Sequence, residues 1–218
     1  MKKLRVGVFM GGKSAEREVS FNSGRTVCDH LDTQRFDVIP VFQTPDSLLY
    51  ILPWRFLHRG KISDFAHRLP YEAKQITWEE LKNLVDFMYL AVHGRYAEDG
   101  TLQGILDILK IPYLGSKVFT SALVMDKIIQ RDFLKINNIN IPKAVIVSPQ
   151  EIINFEKHSE NIFNKIENEK INFPLVVKPH KEGSSIGITI VKDKTGLHAA
   201  LTNACFVYEE KYQSVLIE

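Results

Sequence analysis

Lys178 closes a short apolar run, residues 175–177, and Pro179 follows at once. Beyond them lies the polar loop Glu182-Gly183-Ser184-Ser185-Ile186-Gly187. A glycine beside hydroxyl residues lets backbone N–H groups approach an anion, and a lysine at a strand end adds a cation near the same point. The chemistry this suggests is a phosphate grip on a hairpin. The competing reading is a flexible hairpin tip with a solvated lysine. A second polar cluster, His93-Gly94-Arg95-Tyr96-Ala97-Glu98-Asp99-Gly100, follows an apolar run at 87–92. Such a cluster belongs in a functional loop, although Glu98 and Asp99 equally suit the cap of the next helix, and both readings hold together. A third, Gly11 to Ser20, reads G-G-K-S-A-E-R-E-V-S.

These groups need elements to hold them. Residues 5–10 predict a strand, and Gly24, Val27, Cys28 and Leu31 form one face of a following helix. Residues 36–42 predict a second strand, so strand, loop, helix and strand form a parallel α/β unit with ligands beyond the strands' C-terminal ends. Residues 7–14, G-V-F-M-G-G-K-S, satisfy the P-loop pattern letter for letter. That motif needs a loop between its glycines. Here the intervening residues are the apolar end of a strand, so the stretch reads instead as a Gly-rich turn presenting Ser14 and Glu16 above the sheet edge.

Residues 48–52 and 71–77 predict edge strands, 54–58 a turn or short helix and 78–85 a helix. Trp54 and Trp78 read as packing residues. Leu102, Ile105, Leu106 and Leu109 form another helical stripe. The domain boundary is expected at Gly115. Beyond it, 120–136 predicts one helix carrying Met125-Asp126-Lys127, and 144–147 a strand. Ser148-Pro149-Gln150-Glu151 has the form of a helix start, with Ser at the N-cap, Pro at N1 and Glu at N3. Residues 156–172 read as a solvated helix and loop, 175–177 and 186–191 as the strands of the phosphate hairpin, Thr195 as a helix cap and 215–218 as a last strand.

Composition sets outer bounds. The chain has 218 residues, 44% hydrophobic and 25% charged, with a net charge of +2. That balance is ordinary for a globular protein and gives no broad electrostatic case for nucleic acid or an anionic membrane. No run is long enough to span a bilayer. Cys28 and Cys205 are isolated, which suggests buried thiols in a reducing compartment, and a cytoplasmic location is expected.

Four segments together carry a resemblance: Gly11 to Ser20, H-G-R-Y-A-E-D-G-T-L-Q-G (His93 to Gly104), S-A-L-V-M-D-K (Ser121 to Lys127) and V-V-K-P-H-K-E-G-S-S-I-G (Val176 to Gly187). In this order and spacing the chain resembles D-alanine–D-alanine ligases, ATP-grasp enzymes of peptidoglycan synthesis. The resemblance covers nearly the whole chain and is weak only across about residues 44–82. It implies a Rossmann-like parallel-sheet domain at 1–115 that binds the first D-alanine. The small α+β lobe of an ATP-grasp domain, an antiparallel sheet with helices on one side, is implied at 116–218. By motif match Lys127 and Lys178 would hold nucleotide phosphates, and Glu182, Gly183, Ser184 and Ser185 would lie in the loop that closes over them. Glu16 would face the first D-alanine's ammonium, with Val19 and His93 near the same substrate. Ser184 would join Glu16 in a catalytic network, and Glu218 would begin the hinge that reads adenine. ATP, Mg²⁺ or Mn²⁺, and D-alanine are the implied ligands, with a homodimer through the first domain.

The resemblance also carries departures. Tyr96 and Ala97 stand where the family more often has smaller residues; Tyr96 would either narrow the substrate entrance or, as is expected, point away from it. The family's large lobe, with its metal ligands and second amino-acid site, would follow Glu218, so the 218-residue chain is expected to be inactive alone. Readings kept beside this one are a D-alanine–D-lactate or D-serine ligase, a non-catalytic binding fragment, and a P-loop NTPase.

Overall fold

In a computed structural model, residues 2–58, 60–207 and 212–218 are described. The chain divides into compact units, Met1–Ala122 and Leu123–Glu218, past the boundary expected at Gly115.

The first unit is built on a sheet of order β4-β3-β2-β1-β5. Its strands are β1 (Leu4–Gly11), β2 (Phe36–Gln43), β3 (Leu49–Ile51), β4 (Lys74–Ile76) and β5 (Phe87–Leu90). The inner strand β1 runs parallel to β2 and β5. Its Val8, Phe9 and Met10 are fully buried, as expected for a strand covered on both faces. The sheet is mixed rather than parallel throughout, because β3 pairs antiparallel with β2, and β4 with β3. Between β2 and β3 the cause is local: Thr44 N–H donates to Leu48 O at 2.9 Å, and so short a link can only reverse the chain. The helix Arg17–His30 buries Ser20, Phe21, Gly24 and Cys28. A Cβ on Gly24 would stand 2.6 Å from the Cβ of Met10, so the helix lies this close to β1 only with glycine there. Trp78 stacks on Phe9 as a packing residue should, whereas Trp54 is 40% exposed.

The second unit holds an antiparallel sheet of order β6-β9-β7-β8: β6 (Val145–Val147), β7 (Leu175–Pro179), β8 (Thr189–Val191) and β9 (Val215–Ile217). Val145, Val147, Leu175, Val177, Val215 and Ile217 alternate onto one face. There they meet Ile152, Ile162 and Ile166 and, from the helix Leu197–Cys205, Leu197 and Leu201. Lys178 alternates to the other face of β7.

Three local expectations change. The helix expected over 120–136 is broken into Val118–Met125 and Lys127–Ile136, because Asp126 leaves helical geometry and its side chain caps the second piece. The strand expected from Ile186 starts at Thr189, since Ile186 N–H and Ile188 N–H turn back to Gly183 O and Ser185 O. Asp193, not Thr195, makes the cap before the last helix, accepting Thr195 N–H at 2.9 Å. The capping box at Ser148 and Glu151 forms as read. Among the described residues no helix is long and apolar enough to cross a membrane.

Candidate functional site

In the first unit, three chain segments converge past the C-terminal end of β1. Gly11 (φ 87°) and Gly12 (φ 100°) take the left-handed region, so the chain turns as soon as the strand ends. The P-loop pattern therefore lies mostly inside β1, as its apolar residues indicate. Ser20 Oγ accepts Gly11 N–H at 2.9 Å and donates to Ala91 O at 2.8 Å, tying the helix Arg17–His30 to both strand ends. Ser14 Oγ accepts Glu16 N–H at 3.1 Å and donates to His93 O at 2.7 Å.

Glu16 sits at the N-cap of that helix and is 4% exposed. The helix's N-terminal N–H groups favour its negative charge. Gly94 (φ 75°) lies so close that a Cβ there would be 1.9 Å from Glu16 Oε2. Glycine is thus required twice over, for its conformation and for the carboxylate's room. His93 Nε2 is 3.0 Å from Ser23 Oγ, and its Nδ1 is 3.9 Å from Glu98 Oε1. Glu98 Oε2 in turn accepts Gly94 N–H at 2.6 Å. Val19 is half exposed on the same helix. A buried carboxylate beside a bare glycine suits a small ammonium ion.

Tyr96 lines a cavity of about 10 Å³, roughly the room of one water, with Gly11, Gly12, Lys13 and His93. Lys13 Nζ lies 5.5 Å from the centre of the Tyr96 ring.

In the second unit Lys127 is the first residue after the Asp126 cap, and its N–H donates to His180 O at 2.9 Å. Its Nζ donates to Glu182 O at 2.5 Å. Burial pushes the Lys127 ammonium below its ordinary pKa and the charge of Lys178 pushes it further, while Glu182, Asp126 and Glu218 act the other way. The two lysines therefore share one electrostatic neighbourhood. Lys178 Nζ lies 2.5 Å from Glu218 Oε2, and Arg131 holds Glu218 Oε1 at 2.8 Å. Backbone bonds of 2.7 and 2.9 Å between Glu218 and Val176 fix that carboxylate's origin. Between β7 and β8, Ser184 (φ 47°) and Ser185 (φ 60°) lie in the left-handed region, and Ile186 N–H closes onto Gly183 O at 2.9 Å. This is the pattern of a type I′ turn, in a conformation that costs a non-glycine residue roughly 1 kcal/mol.

Two profiles match this chain: one described as D-ala D-ala ligase N-terminus over residues 5–116, the other as D-ala D-ala ligase C-terminus over residues 133–218. The chain belongs to the D-alanine–D-alanine ligase family. It is 36% identical over 198 residues to the D-alanine–D-alanine ligase of Clostridium botulinum (strain Okra / Type B1), covering 91% of this chain and 53% of that protein. The ligase of Geobacillus thermodenitrificans is 34% identical over 221 residues, with 96% and 59% covered. The chain thus spans somewhat over half the length of the curated relatives it matches. Among solved structures it is similar to the VanG D-Ala:D-Ser ligase from Enterococcus faecalis (TM-score 0.77, 28% identity), covering 100% of this chain and 62% of that one. The Bacillus anthracis D-alanine–D-alanine ligase gives a TM-score of 0.62 at 31% identity, with 99% and 56% covered.

Several residues of this family member were not singled out as site residues from sequence. Ser20 lies inside a quoted motif, but only the fold shows that its hydroxyl links the motif to Ala91, as that of Ser14 links it to His93. Arg131 and Gln213 lie outside the motifs, and no sequence signal marks them. Among the described residues no group of three or more His, Cys, Asp or Glu side chains could hold a metal ion, so the residues present do not by themselves fit Mg²⁺ or Mn²⁺.

Proposed function

We propose that the polypeptide carrying these residues joins two D-alanines to D-alanyl-D-alanine at the expense of ATP, for peptidoglycan precursors, in the cytoplasm. The observation that carries this reading is the pairing of Lys127 and Lys178 beside the serine turn, on a chain of this family. A carboxylate oxygen of the first D-alanine attacks the γ-phosphorus of ATP, and the bond to ADP breaks. The amine of the second D-alanine then attacks the acyl phosphate, releasing inorganic phosphate and a proton.

This chain's residues serve the first step. Glu16 receives the first D-alanine's ammonium, with Val19 and His93 beside it. Lys127 and Lys178 neutralise phosphate oxygens that otherwise repel the incoming carboxylate. Gly183, Ser184 and Ser185 present N–H and hydroxyl donors to the same oxygens, and Glu182 and Glu218 frame the nucleotide. The domain roles proposed are a first domain, about 1–115, for D-alanine and dimerisation, and a small ATP-grasp lobe, about 116–218.

The similarity to a D-Ala:D-Ser ligase supports a second reading, in which the second amino acid is D-serine. Mass spectrometry of products from ATP, D-alanine and an equal mixture of D-alanine, D-serine and D-lactate tests both. D-Alanyl-D-alanine as the main product supports the proposal, and D-alanyl-D-serine or the D-lactate ester replaces it. ATP bound without any product or ADP marks a binding module.

A further inference from the structure

Gln213 lies outside every motif above, yet its side chain holds the root of the serine turn. It is 3% exposed, and its own N–H donates to Cys205 O at 3.2 Å, so its backbone is tied to the end of the helix Leu197–Cys205. Its Oε1 accepts Lys181 N–H at 3.1 Å, and its Nε2 donates to Glu182 Oε1 at 3.1 Å. The partners settle the amide's orientation, because a backbone N–H needs an acceptor and a carboxylate needs a donor. One side chain thus grips consecutive residues. Glu182 is itself 4% exposed, and its carbonyl accepts the ammonium of Lys127 at 2.5 Å.

We propose that Gln213 is a positioning residue. It fixes Lys181 and Glu182 as a rigid root, so that the turn hinges at Gly183, and through Glu182 it sets the direction of the Lys127 ammonium. This rests on the reading of Lys127 and the serine turn as a phosphate grip, and adds to it a residue from another part of the chain. Removing the amide would leave the Lys181 N–H without its acceptor and take one donor from the Glu182 carboxylate, which is why a leucine of similar size cannot replace it.

The test is residue-level amide hydrogen exchange on the whole 218-residue chain without nucleotide, followed by calorimetric titration with ATP. Gln213→Leu removes both bonds. Gln213→Glu keeps the acceptor for Lys181 N–H but sets carboxylates face to face. In Q213L the Lys181 amide exchanges about tenfold faster or more, whereas in Q213E it keeps its parent rate. The amides of Ile186 and Ile188 quicken in both, and those of β7 and β9 do not change. The double variant E182Q/Q213E exchanges the roles of donor and acceptor and returns Ile186 and Ile188 to the parent rate. A Lys181 amide unmoved in Q213L, a speed-up shared equally by β7 and β9, or no recovery in the double variant overturns the proposal. If Q213L does not fold, Q213E and the double variant decide alone, being close in shape to the parent. ATP affinity falls about tenfold in Q213L; a parent chain that binds no ATP overturns the phosphate reading, while the exchange rates still judge Gln213.

Discussion

Lys178 and Lys13 separate the rival phosphate readings at the level of single side chains. Lys178 shares its surroundings with Lys127, whereas Lys13 sits over the ring of Tyr96. Lys178→Ala or Lys127→Ala should therefore weaken ATP binding by about 1.5–3 kcal/mol, roughly tenfold to a hundredfold, and Lys13→Ala should leave it unchanged. Fluorescence titration with an ATP analogue measures all three, and the opposite dependence would restore the P-loop. Gly94 offers a second test. Alanine there must take a φ of 75° and overlap Glu16 Oε2. Gly94→Ala should cost about 2 kcal/mol in urea unfolding and abolish D-alanine-induced NMR shifts, since the carboxylate must leave its place.

At the scale of elements, capping side chains decide more than hydrophobic stripes do. Asp126 splits what reads as one helix, its Oδ1 accepting Ile128 N–H at 3.1 Å and Ile129 N–H at 3.2 Å. Asp126→Ala should cost about 1 kcal/mol in denaturant unfolding and leave Lys127 less ordered. Glu151 gives a pH dependence. Burial alone would raise its carboxyl, but Lys165 at 2.6 Å and the N–H and O–H of Ser148 outweigh burial and hold its pKa at about 2. Its folded pKa is thus depressed, so its contribution is present above about pH 4.5 and is lost as pH falls toward about 2. Glu151→Gln should flatten the second unit's stability over that window, followed by circular dichroism. The strands and most helices were legible in the sequence because their apolar spacing is imposed by burial within a few residues. The break at Asp126 was not, because a continuous run of helix formers conceals a cap whose carboxylate is also drawn toward Lys181, at 3.3 Å. Nor was the reversal of β3 against β2, which depends on how a short link turns the chain. At the site, Glu16 and Lys178 were legible through their motifs. Arg131 and Gln213 were not, since distant chain brings them there.

At the scale of the whole molecule, each unit has a core of its own. Phe21, Phe42 and Phe65 meet in the first, and Ile162, Leu175 and Leu201 in the second. The first, expressed alone as residues 1–122, should unfold in a single cooperative thermal transition with its near-ultraviolet aromatic signal intact. A broad melt without that signal would show that its core needs the rest of the chain. The net charge of +2 leaves little long-range attraction for an anion, so the proposed binding of ATP would rest on groups at close range.

The ion pair between Lys178 and Glu218 has one more consequence. The lysine meets every visiting anion with a carboxylate already in hand, so a newcomer must win it away. Under the phosphate reading proposed above, chloride or a lone phosphate would compete poorly against a tethered neighbour, while a triphosphate would engage several donors together and prevail. The contact would then act as a threshold against small anions.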